Sequence, residues 1–219
     1  QTKILATKNP SAEITAVDIS KDSLHLAEAV IRDAKLANVT FLQADLQQLP
    51  FADDSFDVVI ICFVIEHLED PIAILQELKR VLKVGGKLVA MEGDHGSSFF
   101  YPDSLAGQAV IAAQVQLQTL KGGSPNRGRS LHSYFAATGL NSMQVSPRFL
   151  YVDGQDEGLG YAFVTAIFVP MLEAIGPQAI AEGIITAPLF RQGIQDLYAI
   201  AATEGVFCYT FFKAFGIKG

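Results

Sequence analysis

The stretch NVTFLQADLQQLPFADDSFDVVIICFVIEHLEDP, residues 38–71, decides the fold class. It holds two candidate strands: NVTFLQAD ends at Asp45, and FDVVIICFVI is apolar on successive residues, as a strand buried on both faces should be. A helix then begins at Asp70-Pro71, where proline occupies a first-turn position in which its missing N–H costs nothing. This succession of strands and helix predicts a sheet with helices packed against it.

The flanking sequence repeats the alternation on both sides. Upstream, ITAVD at 14–18 predicts a strand, and either Ser20 or Asp22 can cap the helix that follows. Downstream, the helix that began at residue 71 is expected to end at Gly85-Gly86, and KLVAMEGD at 87–94 predicts another strand. Strands that alternate with helices imply βαβ crossovers, so we expect an α/β fold with a doubly wound, mostly parallel sheet.

The second half of the chain does not continue the regular alternation of strands and helices. The sequence there predicts two helices, a strand, a long helical stretch and a closing strand rich in β-branched and aromatic residues, at 105–120, 131–137, 143–152, about 158–198 and 206–217. We expect the two late strands to form a hairpin. The helical stretch between them is long enough to form a cap.

Composition excludes several classes of protein. The 219 residues include 16 Lys and Arg against 23 Asp and Glu, a net charge of -7, which argues against nucleic acid as the main partner. Half of the residues are hydrophobic, which is enough to build a sizeable core. The longest apolar run, Val58 to Ile65, is far shorter than the roughly 20 residues of a membrane helix, so we expect a soluble protein with no membrane span.

The two cysteines and the first residues carry further expectations. Cys62 and Cys208 lie far apart with no CxxC or His-rich partner, which predicts neither a disulfide framework nor a metal site. A reducing, cytoplasmic compartment fits this cysteine usage. The chain begins at Gln1 with the helix-like TKILA and without Met or lead-in, so we expect further residues upstream.

Two acids stand where predicted strands end. Doubly wound sheets bind ligands beyond the carboxyl ends of their strands, and Asp18 and Asp45 both lie at such ends. A carboxylate at the end of the second strand of a nucleotide-binding unit can accept two hydrogen bonds from ribose hydroxyls. The alternative for Asp18 is that it caps the following helix.

The order of these features resembles the class I S-adenosylmethionine-dependent methyltransferases, and it is most similar to the ubiquinone/menaquinone-biosynthesis type. Four segments carry the resemblance: ITAVDIS at 14–20, the stretch 38–71 quoted above, ELKRVLKVGGKLVAME at 77–92, and the closing aromatic strand. The resemblance covers roughly the first 95 residues well and the last 15 loosely. It implies a seven-stranded sheet and S-adenosylmethionine as cofactor.

The resemblance also implies roles for particular residues. Asp18 would bind the ribose, Ile19 would lie against the adenine face, Asp45 would accept from the adenine amino group, and Leu46 would offer its backbone N–H to the ring. A second set would lie beside the methionine part of the cofactor, namely Cys62, Phe63, Glu66 and His67.

One part of the family pattern is not in the chain. The glycine-rich loop that follows the first strand of such methyltransferases would fall immediately before Gln1, and we expect that strand and loop upstream. Glycine is needed in the loop because the backbone approaches the ligand closely.

The resemblance implies a single methyltransferase domain over 1–219, with a cofactor-binding half at 1–95 and a helical cap or substrate region at 96–140 and 155–203.

Candidate acceptor-side residues follow the strand at 87–94. His95 is the candidate general base, since its imidazole titrates near neutrality and it lies at the ligand face; the alternative is a polar loop residue. Candidate substrate-binding residues are two arginines that could clamp an anionic group and three tyrosines that could line an apolar pocket under the cap: Arg127, Arg129, Tyr101, Tyr134 and Tyr151. The alternatives for these are solvated loop charges and core aromatics.

The function expected from this pattern is methyl transfer to a small, largely apolar organic molecule, with the stretch 161–172 as cap or homodimer interface. One alternative is a catalytically silent binding or scaffold protein of the same fold. Another is a Rossmann-type oxidoreductase, because Tyr209 and Lys213 have the Tyr-x-x-x-Lys spacing. That pair works on a helix, where residues four apart are neighbours, whereas this segment predicts a strand.

Overall fold

The computed structural model of the chain describes residues 1–153, 158–202 and 205–219. Six strands lie within these residues: β1 (Ile14–Asp18), β2 (Val39–Gln43), β3 (Phe56–Cys62), β4 (Leu82–Tyr101), β5 (Asn141–Asp153) and β6 (Val206–Ile217). The helices are α1 (Thr2–Lys8), α2 (Lys21–Asp33), α3 (Pro71–Val81), α4 (Leu105–Leu120), α5 (Leu131–Ala137), α6 (Leu159–Phe163), α7 (Val169–Ala181) and α8 (Ala187–Ala202). The α/β class is confirmed.

The strands form two sheets, which corrects the expected single seven-stranded sheet. β1 and β2 pair in parallel as one sheet, and the other has the order β3-β4-β6-β5. In the larger sheet β3 and β4 are parallel, whereas β6 is antiparallel to both β4 and β5. The expectation of a mostly parallel sheet is therefore wrong for the described residues, because β6 returns between β4 and β5 and no ladder there joins β1 to β3. The antiparallel pairing of the two late strands is confirmed.

Side-chain caps fix the starts of α2, which follows β1, and α3, which follows β3. The Ser20 hydroxyl accepts a hydrogen bond from the Ser23 N–H at 3.2 Å, and Asp70 accepts from the Ala73 N–H at 3.0 Å. Each satisfies a backbone donor that the first helical turn leaves free. Of the two residues considered for the α2 cap, Ser20 is the one the structure uses.

Several boundaries differ from the predicted ones. Helix α3 ends at Val81 and not at Gly85-Gly86, because Leu82 is already extended and pairs with Phe56 of β3. Lys218 from the end of the chain donates to the carbonyls of Arg80 and Leu82 at 3.1 and 2.7 Å. Strand β4 was expected to end at Asp94, but it continues to Tyr101.

Two hydrophobic clusters hold the helices against the larger sheet. One lies among α4, α7, α8 and the N-terminal half of β6, which contributes Phe207 and Tyr209. The other packs α3 and α5 against β3 and β4. The helical stretch Leu159–Ala181 is long and apolar enough to cross a membrane by length and composition alone. One such helix is weak evidence for a membrane span; 33% of its most apolar window is buried, and Val164, Phe168 and Leu172 belong to the first cluster.

The predicted cap region contains helices α4 to α8. Residues 155–157 and 203 of its second segment lie outside the described residues. Its role as a cap, and the division of the chain into two functional halves, stay predictions.

Candidate active site

A buried glutamate in the middle of β4 holds the turn that follows the carboxyl end of β3. Glu92 is fully buried on β4, and its carboxylate accepts from the backbone N–H groups of Val64, Ile65 and Glu66 at 3.0, 2.9 and 3.3 Å. These three residues form the turn that follows β3. Burial raises the pKa of Glu92 to about 7, although the hydrogen bonds from the amides oppose that shift. Glu92 therefore fixes the β3 exit and titrates near neutrality.

Glu66 lies on that turn and faces two histidines. Its Oε1 atom is 3.3 Å from His67 Nε2, and its Oε2 atom is 3.9 Å from His95 Nε2. Burial raises the pKa of Glu66, and the neighbouring His67 partly offsets the rise. A second carboxyl group is thus held close to Glu92 and next to an imidazole.

His95 is buried at the base of this cluster. It is 4% exposed, and its ring lies 5.5 Å from Tyr209 and 5.9 Å from Phe168, measured between ring centroids. Burial lowers its pKa to about 4, so the imidazole is neutral at physiological pH. Its Nδ1 atom is buried and has no hydrogen-bond partner within the described parts of the chain. A neutral ring with an unpartnered nitrogen can bind a ligand hydroxyl or hold a proton.

An aromatic wall closes one side of the cluster. Tyr209 is buried on β6, and its ring contacts Phe163, Phe168 and Phe211 at centroid distances of 5.5, 5.5 and 4.8 Å. Burial and the nearby carboxyl groups raise the pKa of Tyr209 well above its usual range. Its phenol therefore stays protonated, and the wall excludes water from the His95 side.

The two candidate substrate arginines already bind protein groups. Arg129 makes two hydrogen bonds to the buried carboxylate of Asp94, at 2.7 and 2.6 Å. Arg127 donates to the Tyr134 hydroxyl and to the Leu68 carbonyl. The structure thus brings Arg127 and Tyr134 together, and each guanidinium has a fixed orientation.

The other two candidate substrate tyrosines lie away from His95. Tyr101 and Tyr151 are 67% and 58% exposed on β4 and β5, and their register partners on β6 are Val206 and Cys208. Tyr209, which contacts His95, stands on the opposite face of β6 from those partners because side chains alternate along a strand. The structure does not bring this pair to the His95 cluster.

The candidate nucleoside residues lie at the ends of the smaller sheet. Asp18 accepts from the Ser20 N–H, and Asp45 accepts from the Gln47 N–H, both at 2.8 Å. Among the described residues, the second carboxylate oxygen of each has no partner. Ile19 is 67% exposed beside Asp18. These acceptors fit a nucleoside, because free carboxylate oxygens at adjacent strand ends can accept from ribose hydroxyls and an adenine amino group.

Three further candidates surround the β3 exit. Cys62 is half-buried at the end of β3, and burial raises the pKa of its thiol. Phe63 adopts φ of 58°, a left-handed conformation that turns the chain out of the sheet, and its N–H donates to the Met91 carbonyl. His67 is exposed. These three residues lie next to the turn that Glu92 holds. Leu46 is partly buried against the second hydrophobic cluster.

The sequence interpretation missed Glu92 as part of the site. A single acid inside the apolar strand VAMEGD was the available signal, since a carboxylate there must find partners in the interior. Phe163 and Phe168 carried no such signal. Phe168 contacts His95, and Phe163 contacts Tyr209, because the helical stretch packs across β6, which local sequence does not reveal. Within the described ranges no three His, Cys, Asp or Glu side chains group as a metal site.

Comparison with known proteins places the site in a family context. Residues 1–90 match the profile of a methyltransferase domain family. An uncharacterised methyltransferase of Schizosaccharomyces pombe is 35% identical over 131 residues, covering 57% of this chain and 47% of that protein. The demethylmenaquinone methyltransferase of a Geobacillus species is 37% identical over 83 residues, covering 38% of this chain and 36% of that protein. The chain thus spans less than half the length of these curated relatives.

Solved structures give the same fold. The YcgJ protein of Bacillus subtilis matches with a TM-score of 0.59 and 19% identity, over 98% of this chain and 86% of that one. Phosphoethanolamine N-methyltransferase 2 of Haemonchus contortus, solved with phosphomonomethylethanolamine and S-adenosylhomocysteine, matches with a TM-score of 0.56 and 15% identity, over 98% and 46%. The family and sequence matches confirm the predicted resemblance to class I methyltransferases of the quinone-biosynthesis type.

Proposed function

We propose, from the match of residues 1–90 to a methyltransferase domain family, that the protein is a class I S-adenosylmethionine-dependent methyltransferase that acts on a small, largely apolar organic acceptor. One observation carries the proposal. The cluster of Glu66, Glu92 and His95 lies at the carboxyl end of β3, beside the middle of β4, and doubly wound sheets bind their ligands beyond the carboxyl ends of their strands. The demethylmenaquinone methyltransferase relative supports an acceptor with a large apolar ring.

The cofactor would be held by residues on both sheets. Asp18 would accept from the ribose hydroxyls and Ile19 would cover the adenine, while Asp45 and the Leu46 N–H would bind the edge of the ring. The β3 exit, with Cys62, Phe63, Glu66 and His67, would bind the methionine part. When bound, S-adenosylmethionine supplies an electrophilic methyl group on a sulfonium.

The acceptor side is where this chain's residues contribute chemistry. His95 is neutral and buried, so it can take a proton from an acceptor hydroxyl or hold that hydroxyl in place. The aromatic wall of Phe163, Phe168 and Tyr209 excludes water, and orientation of the acceptor then provides much of the rate enhancement. Arg127, Arg129, Tyr101, Tyr134 and Tyr151 remain candidates for further acceptor contacts.

The proposal includes the location and partners of the protein. A small-molecule substrate, a cytoplasmic location and no nucleic-acid partner fit the acidic composition and the cysteine usage. We also propose the stretch 161–172 as the interface of a homodimer.

Calorimetric titration tests the cofactor site directly. S-adenosylmethionine and S-adenosylhomocysteine are titrated into this chain and into a longer protein that is extended upstream of Gln1. We expect micromolar binding by the longer protein, weakened at least tenfold by Asp18→Asn. Asp33→Asn on the exposed side of α2 is the matched control and should leave binding unchanged. If neither form binds, the methyltransferase proposal fails and the silent scaffold becomes the better account.

A further inference from the structure

A groove runs along one side of α8 where that helix faces α7. Its volume is about 350 Å³, within the range of small-molecule sites. Its lining consists of Glu173 from α7 and four residues of α8, namely Phe190, Arg191, Ile194 and Gln195. We call it the α7–α8 groove. None of these residues is assigned to the cofactor or to the candidate active site.

The floor of the α7–α8 groove is apolar. Phe190 and Ile194 lie one helical turn apart on α8 and are 8% and 7% exposed. The ring of Phe190 packs against the backbone of α7 at Gly176, where a Cβ atom would lie 2.5 Å from a ring carbon. Glycine at this position therefore lets the two helices approach closely. The ring and the branched side chain form a surface that suits an aliphatic ligand group.

The two walls of the groove carry opposite charges. Arg191 and Gln195 lie one turn apart on the exposed side of α8, next to the floor residues. Glu173 lines the groove from α7 and is also exposed. Within the described residues no ion pair joins Arg191 to Glu173, so the two charges are separated by more than the length of a direct contact.

The carboxylate of Glu173 is held in position. Its Oε2 atom accepts a hydrogen bond from the Tyr198 hydroxyl at 2.9 Å, which joins α7 to α8. Among the described residues its Oε1 atom has no partner. One carboxylate oxygen is therefore oriented by the protein, and the other is available to a cation.

The guanidinium of Arg191 is available to an anion. Helix α8 contains one acid, Asp196, and its two carboxylate oxygens accept from Ser104 and Gln192. In the part of the chain that the structure describes, neither Arg191 nor the side-chain amide of Gln195 has a hydrogen-bond partner. A guanidinium can bind a carboxylate through two parallel hydrogen bonds, and the neighbouring amide can donate a third.

A ligand with a single charge matches only half of this arrangement. An apolar carboxylate would pair with Arg191 but would be repelled by Glu173, and an apolar amine would leave Arg191 unpaired. A molecule that carries an ammonium group, a carboxylate and an apolar group on one carbon matches both walls and the floor.

We propose that the α7–α8 groove binds a free amino acid with an apolar side chain. The ligand carboxylate would lie on Arg191, the ammonium group on Glu173, and the side chain on Phe190 and Ile194. This site does not rest on the proposed function, because its lining comes from α7 and α8 alone.

Ligand-observed NMR on the full chain, with no cofactor present, tests the proposal with three matched probes. L-leucine carries both charges, isocaproate is leucine without the ammonium group, and isoamylamine is leucine without the carboxylate. Contacts between exposed charges are individually weak. We therefore expect leucine to bind in the millimolar range, with a dissociation constant at least threefold lower than that of either analogue. Leucine should also shift the side-chain amide resonance of Gln195 in the protein spectrum.

Two variants separate the two charged contacts. Arg191→Gln should remove the preference for leucine over isoamylamine without weakening the binding of isoamylamine. Glu173→Gln should remove the preference for leucine over isocaproate, and it keeps an acceptor for the Tyr198 hydroxyl. Arg32→Gln, at an exposed position of α2, is the matched control and should leave all three affinities unchanged.

Three results would overturn the proposal: equal affinity for the three probes, no saturable binding of leucine at tens of millimolar, or a leucine affinity that either Arg191→Gln or Glu173→Gln leaves unchanged. Leucine binding with the expected preferences would support the site whether or not the protein binds S-adenosylmethionine. Asp18→Asn, which should weaken cofactor binding, should leave leucine binding unchanged. The two proposals can therefore fail separately.

Discussion

Glu92 Oε1 accepts a hydrogen bond from the Ile65 N–H at 2.9 Å, so a residue in the middle of β4 fixes the turn that leaves β3. The two residues are 27 positions apart in the chain. The same carboxylate also holds the neighbouring N–H groups of Val64 and Glu66. Because Glu66 in turn faces His95, one buried side chain positions the acid–imidazole pair of the candidate site.

Replacing Glu92 by leucine should destabilise the chain strongly. Leucine has a similar volume but no acceptor, so three backbone N–H groups would lose their buried partner. We expect a loss of about 3 kcal/mol or more in the free energy of unfolding, measured by urea denaturation. Glu28→Leu, at an exposed position of α2, should stay within about 0.5 kcal/mol of the wild type. Equal effects of the two changes would show that the Glu92 hydrogen bonds contribute little.

Glu92 should also make stability depend on pH. Burial raises its pKa from 4.5 to about 7 in the folded chain, so between these values the folded state binds a proton that the unfolded state has released. Its stabilising contribution is complete below pH 4.5 and is lost as the pH rises through about 7. The unfolding free energy of the wild type, minus that of Glu92→Gln, should fall over this window. A flat difference would mean that Glu92 titrates with its ordinary pKa.

His95 should have the opposite effect. Burial lowers its pKa from 6.5 to about 4, so its contribution to stability is present above pH 6.5 and is lost as the pH falls through about 4. A ¹⁵N NMR titration of the imidazole should give a midpoint near 4. Phe168→Leu thins the aromatic wall, admits water and should move that midpoint upward. A midpoint near 6.5 in the wild type would contradict the burial of His95.

The Asp94–Arg129 pair should be strongly coupled. Asp94 is 1% exposed and Arg129 is 52% exposed, so one charge depends on the other for its interior hydrogen bonds. A double-mutant cycle with Asp94→Asn and Arg129→Gln should give a coupling free energy of about 1–3 kcal/mol, less than for a fully buried pair because solvent screens the arginine. The exposed pair Asp57 and Lys83 serves as control and should show no measurable coupling. Similar values for both cycles would refute the assignment.

Local sequence signals were sufficient for many elements. The predicted ranges of α4, α5 and β6 agree with the structure, Ser20 is the one of the two candidate caps that caps α2, and α3 begins at Pro71 as expected. The strand prediction for 206–217 also places Tyr209 and Lys213 on one extended strand, which removes the basis for the oxidoreductase alternative. These features depend on residues within a few positions of one another, and such signals are readable from the chain.

Long-range pairing decided the rest. The sequence predicts a strand that ends at Asp94, yet Phe99 and Phe100 pair with Cys208 and Phe207 of β6. The pairing resumes after an irregularity between Asp94 and Phe99, and His95 lies within that irregularity. The cross-strand hydrogen bonds to β6 and the burial of Phe100 stabilise the extended backbone by more than the local propensity for a turn opposes it.

The sequence by itself determined the α/β class, the starts of α2 to α5, the acids at the ends of β1 and β2, and the family resemblance. Only the tertiary structure determined that Glu92 holds the β3 exit, that Tyr209 and Phe168 enclose His95, and that the described strands form two sheets. The physical reason is that caps and periodicity act between near neighbours, whereas burial, desolvation and strand pairing depend on partners that lie far away in the chain and come together only when it folds.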